Sequence, residues 1–510
     1  MVCKVTTSTV IGLNAYNVEV EVDLVNSLPS VSIVGLPDVA VSEARERVRS
    51  AIKNSSFSFP QKKVVINLAP ADIKKEGTNF DLPIAIGILI EESVIAEEKT
   101  KDMAFLGELS LDGTLRAVNG VLPLVIGLKN NGIKSVVVPY NNGKEASLCE
   151  GIEVLSAKTL NDVVNHFIDT PLPVVKTNIE EYLKNGMPET YLYDFKDVKG
   201  QQKAKKALEI AAAGGHNMLM TGSPGSGKTL MAKCFASILP PLELSEALEL
   251  TKIYSIAGLI SNDNPLMTIR PFRPVHHTAS ATGIVGGGGN PKPGEITLAH
   301  RGVLFLDEIV EFPRNVLEVL RQPLEDGEVV ISRTKTSIKY PADFMLLAAM
   351  NPCPCGFLGD KEKQCICSDF QIKRYRSKLS GPLLDRIDIQ VEVPRLTTEE
   401  LLKTNEEAES SAQIRQRVIN ARKIQKERYK GTDILTNSQL TASMVKKYCQ
   451  PDDASKNVLK MAIAKYQLSG RRYDRILKLS RTIADLDESE QITTKHITQA
   501  LQYRLNDLAN

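Results

Sequence analysis

The chain has 510 residues, more than one compact core accommodates, so about two to four domains are expected. Its 63 basic side chains nearly cancel its 61 acidic ones, which excludes a global field selecting nucleic acid or membrane and leaves that task to local patches. Hydrophobic content of 42% with 24% charged residues describes an ordinary globular protein, and eight cysteines over this length exclude a disulfide-stapled scaffold.

The N-terminus, MVCKVTTSTVIGLNAYNVEVEVDL, has no apolar core behind a basic start, so no signal peptide is read. No stretch reaches the ~18 uninterrupted apolar residues of a membrane span. A cytoplasmic protein without membrane contact is expected. Residues 1–165 read as mixed α/β. Val18–Leu24 alternates apolar and charged, as in a half-buried strand; Val39–Ile52 has helical spacing, Lys63–Leu68 is a strand, Ile84–Ile90 a buried helix, and Val136–Pro139 a buried strand. Residues 166–192, polar and with three prolines, are assigned as a linker.

From residue 193 to 395, apolar strands at Asn217–Thr221, Val303–Leu306 and Phe344–Ala349 alternate with helical patterns, implying a largely parallel sheet covered by helices. The first strand runs into Gly222-Ser223-Pro224-Gly225-Ser226-Gly227-Lys228-Thr229 and then a helical pattern. This is G-x-x-x-x-G-K-[ST] in its confirming strand–loop–helix context. Its backbone N–H groups and helix N-terminus suit phosphate oxygens, with Lys228 reaching the β- and γ-phosphates of ATP and Thr229 ligating Mg²⁺. The strand Val303–Leu306 ends in Asp307-Glu308, which would hold Mg²⁺ and polarise the attacking water respectively. Asn351 ends the third strand. It either orients that water or simply starts an Asn-Pro turn.

Cys353, Cys355, Cys365 and Cys367 form two C-x-C pairs around a turn. They suit a tetrahedral Zn²⁺ site, although C-x-C is tighter than the usual C-x₂₋₄-C, and four reduced thiols in a loop is the plain alternative. Lys373, Arg374, Arg376 and Lys378 follow, with Phe370 and Tyr375 interleaved. Glu328–Tyr340 reads as a hairpin with Arg333 and Lys335 at its tip. Residues 396–510 are helical almost throughout. In that region Ile414–Lys430 carries seven basic residues against one Glu, read as a solvated face.

Gly222–Thr229, Asp307-Glu308, Asn351 and Leu383-Leu-Asp-Arg386-Ile-Asp together resemble an AAA+ module of the magnesium-chelatase and MCM branch. The resemblance implies that Arg386 is an arginine finger acting on a neighbouring subunit's γ-phosphate, and that Arg471 is the sensor-2 arginine, with Arg472 and Arg475 as nearby alternatives. A finger acting in trans implies a homo-oligomer, a hexameric ring by family. The segment from Arg270 through Gly286–Gly289 to Glu308, and Ser469–Leu486, resemble the YifB/ComM family of magnesium-chelatase-like proteins over nearly the whole chain. The segment is expected to be an inserted loop or helix beside the ring channel, with its glycines giving mobility, and His276-His277 lacks a third metal ligand at suitable spacing.

Residues 64–90 and 105–139 resemble the Lon protease catalytic fold, but Asn79 and Leu122 occupy the positions of its Ser–Lys dyad, so proteolysis is not expected. In related ring helicases a hairpin before sensor 1 enters the channel, and Arg333 and Lys335 would there grip DNA phosphates without sequence preference. The family resemblance therefore implies an ATP-driven motor on forked or branched DNA, performing branch migration as incoming DNA recombines during natural transformation. Two alternatives are a chelatase-type ATPase remodelling a protein partner, and an assembly factor whose nucleotide only holds a ring together.

Overall fold

A computed structural model describes residues 2–186, 192–288, 292–332, 337–360, 362–397, 399–400 and 408–504. They form two compact units, residues 1–186 with 243–268, and residues 187–242 with 269–510. No helix among the described residues is long and apolar enough to cross a membrane.

The first unit is built on a seven-stranded mixed sheet. Its spatial order is Ser30–Val34, Lys63–Ala69, Asn14–Val25, Cys3–Ile11, Met103–Phe105, Ser135–Pro139 and Glu153–Ala157. The alternation read in Val18–Leu24 is real: Val18, Val20 and Val22 are buried while Glu19 and Glu21 face outward, where both reach Lys4. Helix Asp81–Glu91 lies on this sheet and is buried from Asp81 to Ile90. Burying a carboxylate there requires a partner. Arg47, on helix Val39–Asn54, supplies it through Nε and Nη2 at 2.7 and 2.9 Å, and the Leu109 N–H adds a third bond at 3.1 Å. Burial still pushes the Asp81 pKa up to about 6, against the opposing pull of Arg47.

Residues 243–268 belong to this first unit although the chain places them between the phosphate-loop helix and the next strand of the second. Their helix Leu244–Ile256 buries Leu250, Ile253, Tyr254 and Ser255. The Ser255 hydroxyl donates to the buried Glu145 carboxylate, which also accepts the Leu122 N–H at 3.1 Å. Desolvation raises the Glu145 pKa.

The second unit contains a five-stranded, wholly parallel sheet in the order Phe272–Val275, Val303–Leu306, Met345–Met350, Met218–Thr221, Ile389–Glu392. Its three central strands read directly from the sequence. The two edge strands do not, because one is four residues long with Pro274 inside it and the other alternates apolar and polar. Proline is tolerated at a sheet edge because the missing N–H there has no ladder partner to lose.

Among the described residues, five α-helices follow residue 408: Ser411–Arg428, Ala442–Tyr448, Asp453–Tyr466, Gly470–Leu486 and Thr494–Gln502. The first is not the solvated cationic face read from its composition. Its arginines find acceptors, Arg417 on Glu209 and Glu409, Arg422 on the Ala212 carbonyl and Arg428 on Asp485, while its lysines Lys423 and Lys426 stay exposed. Arginine's planar fork makes this exchange of water for fixed acceptors favourable where lysine's would not be.

Glu328–Ser332 and Ser337–Pro341 pair as the expected hairpin, with Lys339 bridging back to Glu328 at 2.7 Å. Arg333 and Lys335 lie outside the described residues. The inserted segment contains a short helix, Ala281–Val285, followed by paired backbone. Gly286–Gly287 pairs with Lys292–Pro293, and a Cβ on Gly286 would lie 2.4 Å from the Lys292 carbonyl oxygen, so glycine there permits close approach of two strands.

Removing Arg47 leaves Asp81 buried and unpaired. Because the folded pKa of Asp81 is raised, its charge costs stability increasingly as pH climbs from about 4 through about 6. Arg47→Ala is therefore expected to destabilise the first unit by about 3–5 kcal/mol at pH 8 and by clearly less at pH 5, in urea unfolding of the full chain. An equal loss at both values would contradict the assignment.

Candidate nucleotide site

All five parallel strands end on one side, and there the loops after three neighbouring strands meet. Strand Met218–Thr221 feeds the loop Gly222–Gly227 and helix Lys228–Phe235. Gly225 and Gly227 have φ of +78° and +91°, a region that disfavours side chains, and Gly222 sits so close to the Val393 carbonyl that a Cβ would lie 2.1 Å from its oxygen. Lys228 Nζ donates to the carbonyls of Gly222 and Ser223 at 2.7 and 3.0 Å, and to Asn351 Oδ1 at 3.4 Å. Burial lowers the Lys228 pKa while Asp307 and Glu308 pull it back up. The Ser226 hydroxyl is buried in this loop and has no hydrogen-bond partner among the described residues, an orphan that a phosphate oxygen would satisfy.

Thr229 Oγ1 donates to Asp307 Oδ2 at 2.7 Å. The pair comes from two strands separated by Met345–Met350, so the sheet rather than chain proximity brings it together. Hydroxyl and carboxylate oxygens are the hard donors that Mg²⁺ takes beside phosphates. Glu308 follows with φ of +50°, a strained conformation for a non-glycine residue. Its Oε2 lies 3.9 Å from His277 Nδ1. That neighbour escaped the sequence reading. The signal was the register: Val275 stands opposite Leu306, which carries His277 to the level of Glu308.

Arg386 is engaged within its own chain, donating to the carbonyls of Arg321 and Pro382 at 3.1 and 2.8 Å and to the Glu325 carboxylate. The loop bearing it is fixed on both sides. The Asn217 amide donates to the Arg386 carbonyl at 3.0 Å, and Asp388 meets His216 Nδ1 at 3.3 Å and Arg475 at 3.6 Å. Burial alone would raise the Asp388 carboxyl, but the hydrogen bond with His216 and the guanidiniums of Arg475 and Arg504 outweigh it and hold the carboxyl far below the usual range. Of the three arginines at the start of helix Gly470–Leu486, Arg472 pairs with Asp385 at 3.5 Å and Arg475 with Asp388. Arg471 is exposed, and no hydrogen bond or ion pair engages it among the described residues.

The cysteine quartet directly follows Asn351. All four sulfur atoms lie within 4.8 Å of one another, with separations of 3.4 Å for Cys353–Cys355, 3.7 Å for Cys353–Cys365 and 3.6 Å for Cys355–Cys365. A tetrahedron of ~2.3 Å zinc–sulfur bonds has edges of about 3.8 Å, so the arrangement fits that ion. The backbone N–H groups of Phe357 and Ile366 pull the Cys355 thiol down, while desolvation and the neighbouring thiols push Cys365 and Cys367 up, so the four share their protons unequally. The loop also presses on the phosphate loop, since a Cβ on Gly356 would lie 2.6 Å from Pro224 Cδ.

Comparison with known proteins agrees with this geometry. Residues 194–401 match the family described as magnesium chelatase, subunit ChlI; residues 20–142 match subunit ChlI of Mg-chelatase, and residues 408–504 the ChlI C-terminal region. The chain is 44% identical to "Competence protein ComM" of Haemophilus influenzae over 497 residues, 97% of this chain and 95% of that protein. It is 41% identical to YifB of Escherichia coli over 506 residues, 98% and 96% of the two chains. With Lon protease 2 of Bacillus subtilis it shares 29% identity over 128 residues, 25% of this chain and 22% of the protease, a likeness in the N-terminal region. There Asn79 is buried and donates to the Ser8 carbonyl at 2.8 Å, and Leu122 is wholly buried.

Gly356 and Gly359 share a left-handed backbone, with φ of +82° and +80°, but a Cβ on Gly359 meets nothing within 4 Å. Gly359→Ala should therefore cost about 1 kcal/mol of conformational strain. Gly356→Ala should cost about 1–3 kcal/mol more by overpacking against Pro224, read as the difference between the two midpoints in urea.

Proposed function

Because this chain belongs to the magnesium-chelatase-like AAA+ ATPase family of ComM and YifB, we propose that it is a cytoplasmic, ring-forming motor that hydrolyses ATP to drive branch migration of forked or branched DNA. The observation that carries the reading is the Thr229–Asp307 contact beside Lys228, since hydroxyl, carboxylate and ammonium converge at the mouth of a glycine loop. Thr229 and Asp307 would hold Mg²⁺, which supplies charge neutralisation at the β- and γ-phosphates. Lys228 leaves its two carbonyl acceptors for the phosphates, and the loop N–H groups with Ser226 cradle their oxygens. Glu308 takes the proton of the attacking water, and Asn351 orients that water. Arg386 acts on the nucleotide of the neighbouring protomer in a hexameric ring. Arg471 serves as the cation on the lid; its freedom, against the pairing of Arg472 and Arg475, supports choosing it among the three.

The DNA half of the reading draws on a relative named for competence, on the hairpin whose tip carries Arg333 and Lys335, and on one surface. On helix Asp369–Arg376, Lys373 and Arg374 are exposed beside Phe370, which is 72% exposed, whereas Tyr375 is buried. Exposed cations beside an aromatic ring suit single-stranded nucleic acid. The quartet is proposed to hold one Zn²⁺ that fixes the loop leaving Asn351. A second reading, an ATPase remodelling a protein partner, is favoured by the chelatase-subunit matches along the chain.

Lys228→Ala and Arg386→Ala should each lower ATP turnover by about 10³-fold or more, and both should abolish strand displacement on forked DNA. ATP hydrolysis by the parent protein without binding or displacement of forked DNA at low salt would transfer the motor to the protein-remodelling reading. The purified parent should carry one zinc per chain by elemental analysis. Cys365→Ser should lose that zinc and melt at lower temperature; a metal-free, equally stable parent would reject the metal.

A further inference from the structure

Arg386 has little freedom in this conformation. Its guanidinium bonds to the Arg321 and Pro382 carbonyls and to Glu325, and its side chain is only 14% exposed. Two of these three acceptors, Arg321 and Glu325, sit on one short stretch. Glu325 belongs to the helix Pro323–Asp326, which Gly327 closes in a left-handed conformation with φ of +67° by donating to the Pro323 carbonyl at 2.9 Å. Strand Glu328–Ser332 begins at the next residue, and the returning chain donates Ala342 N–H to the Gly327 carbonyl at 2.7 Å. Gly327 is thus both the end of the turn that holds Arg386 and the base of the hairpin.

A carboxylate offers a guanidinium the same paired anionic oxygens that a phosphate does. Glu325 and a neighbouring nucleotide therefore compete for one side chain. We infer that Glu325 is a positioning residue for Arg386, holding it on its own protomer until DNA on the hairpin shifts the shared Gly327 base and frees it for the next protomer's nucleotide. The inference rests on the motor reading above, and it gives the hairpin a physical route to a pocket in another chain.

The test uses assembled full-length protein bearing Glu325→Gln, Glu325→Asp, Arg386→Ala or the Glu325→Gln/Arg386→Ala pair. Steady-state ATP turnover is read with and without forked oligonucleotide, and DNA binding separately by fluorescence anisotropy. Glu325→Gln should raise DNA-free kcat about threefold, the scale of a half-exposed ion pair, with KM for ATP unchanged and further stimulation by DNA reduced. Glu325→Asp, which keeps the charge, should stay nearer the parental rate. The double variant should be as slow as Arg386→Ala. An unchanged or lowered DNA-free kcat in Glu325→Gln, or a gain that survives in the double variant, overturns the inference. Failure of the parent to bind forked DNA would reject the motor reading instead, and the DNA-free comparison would still decide whether Glu325 restrains Arg386.

Discussion

A parallel sheet has one end at which every strand finishes, and the second unit depends on that constraint. The ladders set Thr221 beside Met350 and Leu306 beside Ala348, so the residues that follow each strand emerge at the same end of the sheet, within two residues of one another in register. Lys228, Thr229, Asp307, Glu308 and Asn351 meet because hydrogen-bonded backbones force them to, although they span well over a hundred positions of sequence. The central strands are apolar and buried on both faces, so burial holds them in the sheet while the backbone ladder sets which residues follow at their ends. The chemistry inherits its precision from this packing.

A second layer of polar contacts ties the helical region to the sheet. Asp485 accepts from Arg428, Arg481 and Asn437, and Asn437 also reaches Thr482. Thr482 meets His216, and His216 meets Asp388, two residues beyond Arg386. These groups are buried or nearly so, and each has partners, which is the condition under which a polar interior rigidifies a protein. The chain of bonds begins on the C-terminal helices, passes the start of strand Met218–Thr221 and ends at the loop bearing Arg386. Those helices and that loop are thereby parts of one connected body.

Strong local signals explain what was legible in the sequence. The glycine loop, the apolar strand ending in two carboxylates and the paired cysteines each demand particular residue types at fixed spacing, so composition betrays them. The strands Phe272–Val275 and Ile389–Glu392 are short edge strands whose pairing is visible only once their neighbours are in place. His277 beside Glu308 and Glu325 beside Arg386 were hidden for the same reason, since each contact follows from register or from a turn, neither of which leaves a local pattern. The arginines of Ser411–Arg428 misled because periodicity counts charge without saying where an acceptor waits.

The passage of residues 243–268 into the first unit also governs how the molecule can be divided. Arg270, bonded to the carbonyls of Pro240 and Pro241 at 2.9 and 3.4 Å, pinches together the points where the chain departs and returns. A cut within the linker consequently yields no self-sufficient halves. The C-terminal fragment would carry a helix whose Leu250, Ile253 and Tyr254 have lost their covering, and the N-terminal fragment would keep Glu145 buried without the Ser255 hydroxyl. Neither unit is therefore encoded by an uninterrupted half of the sequence.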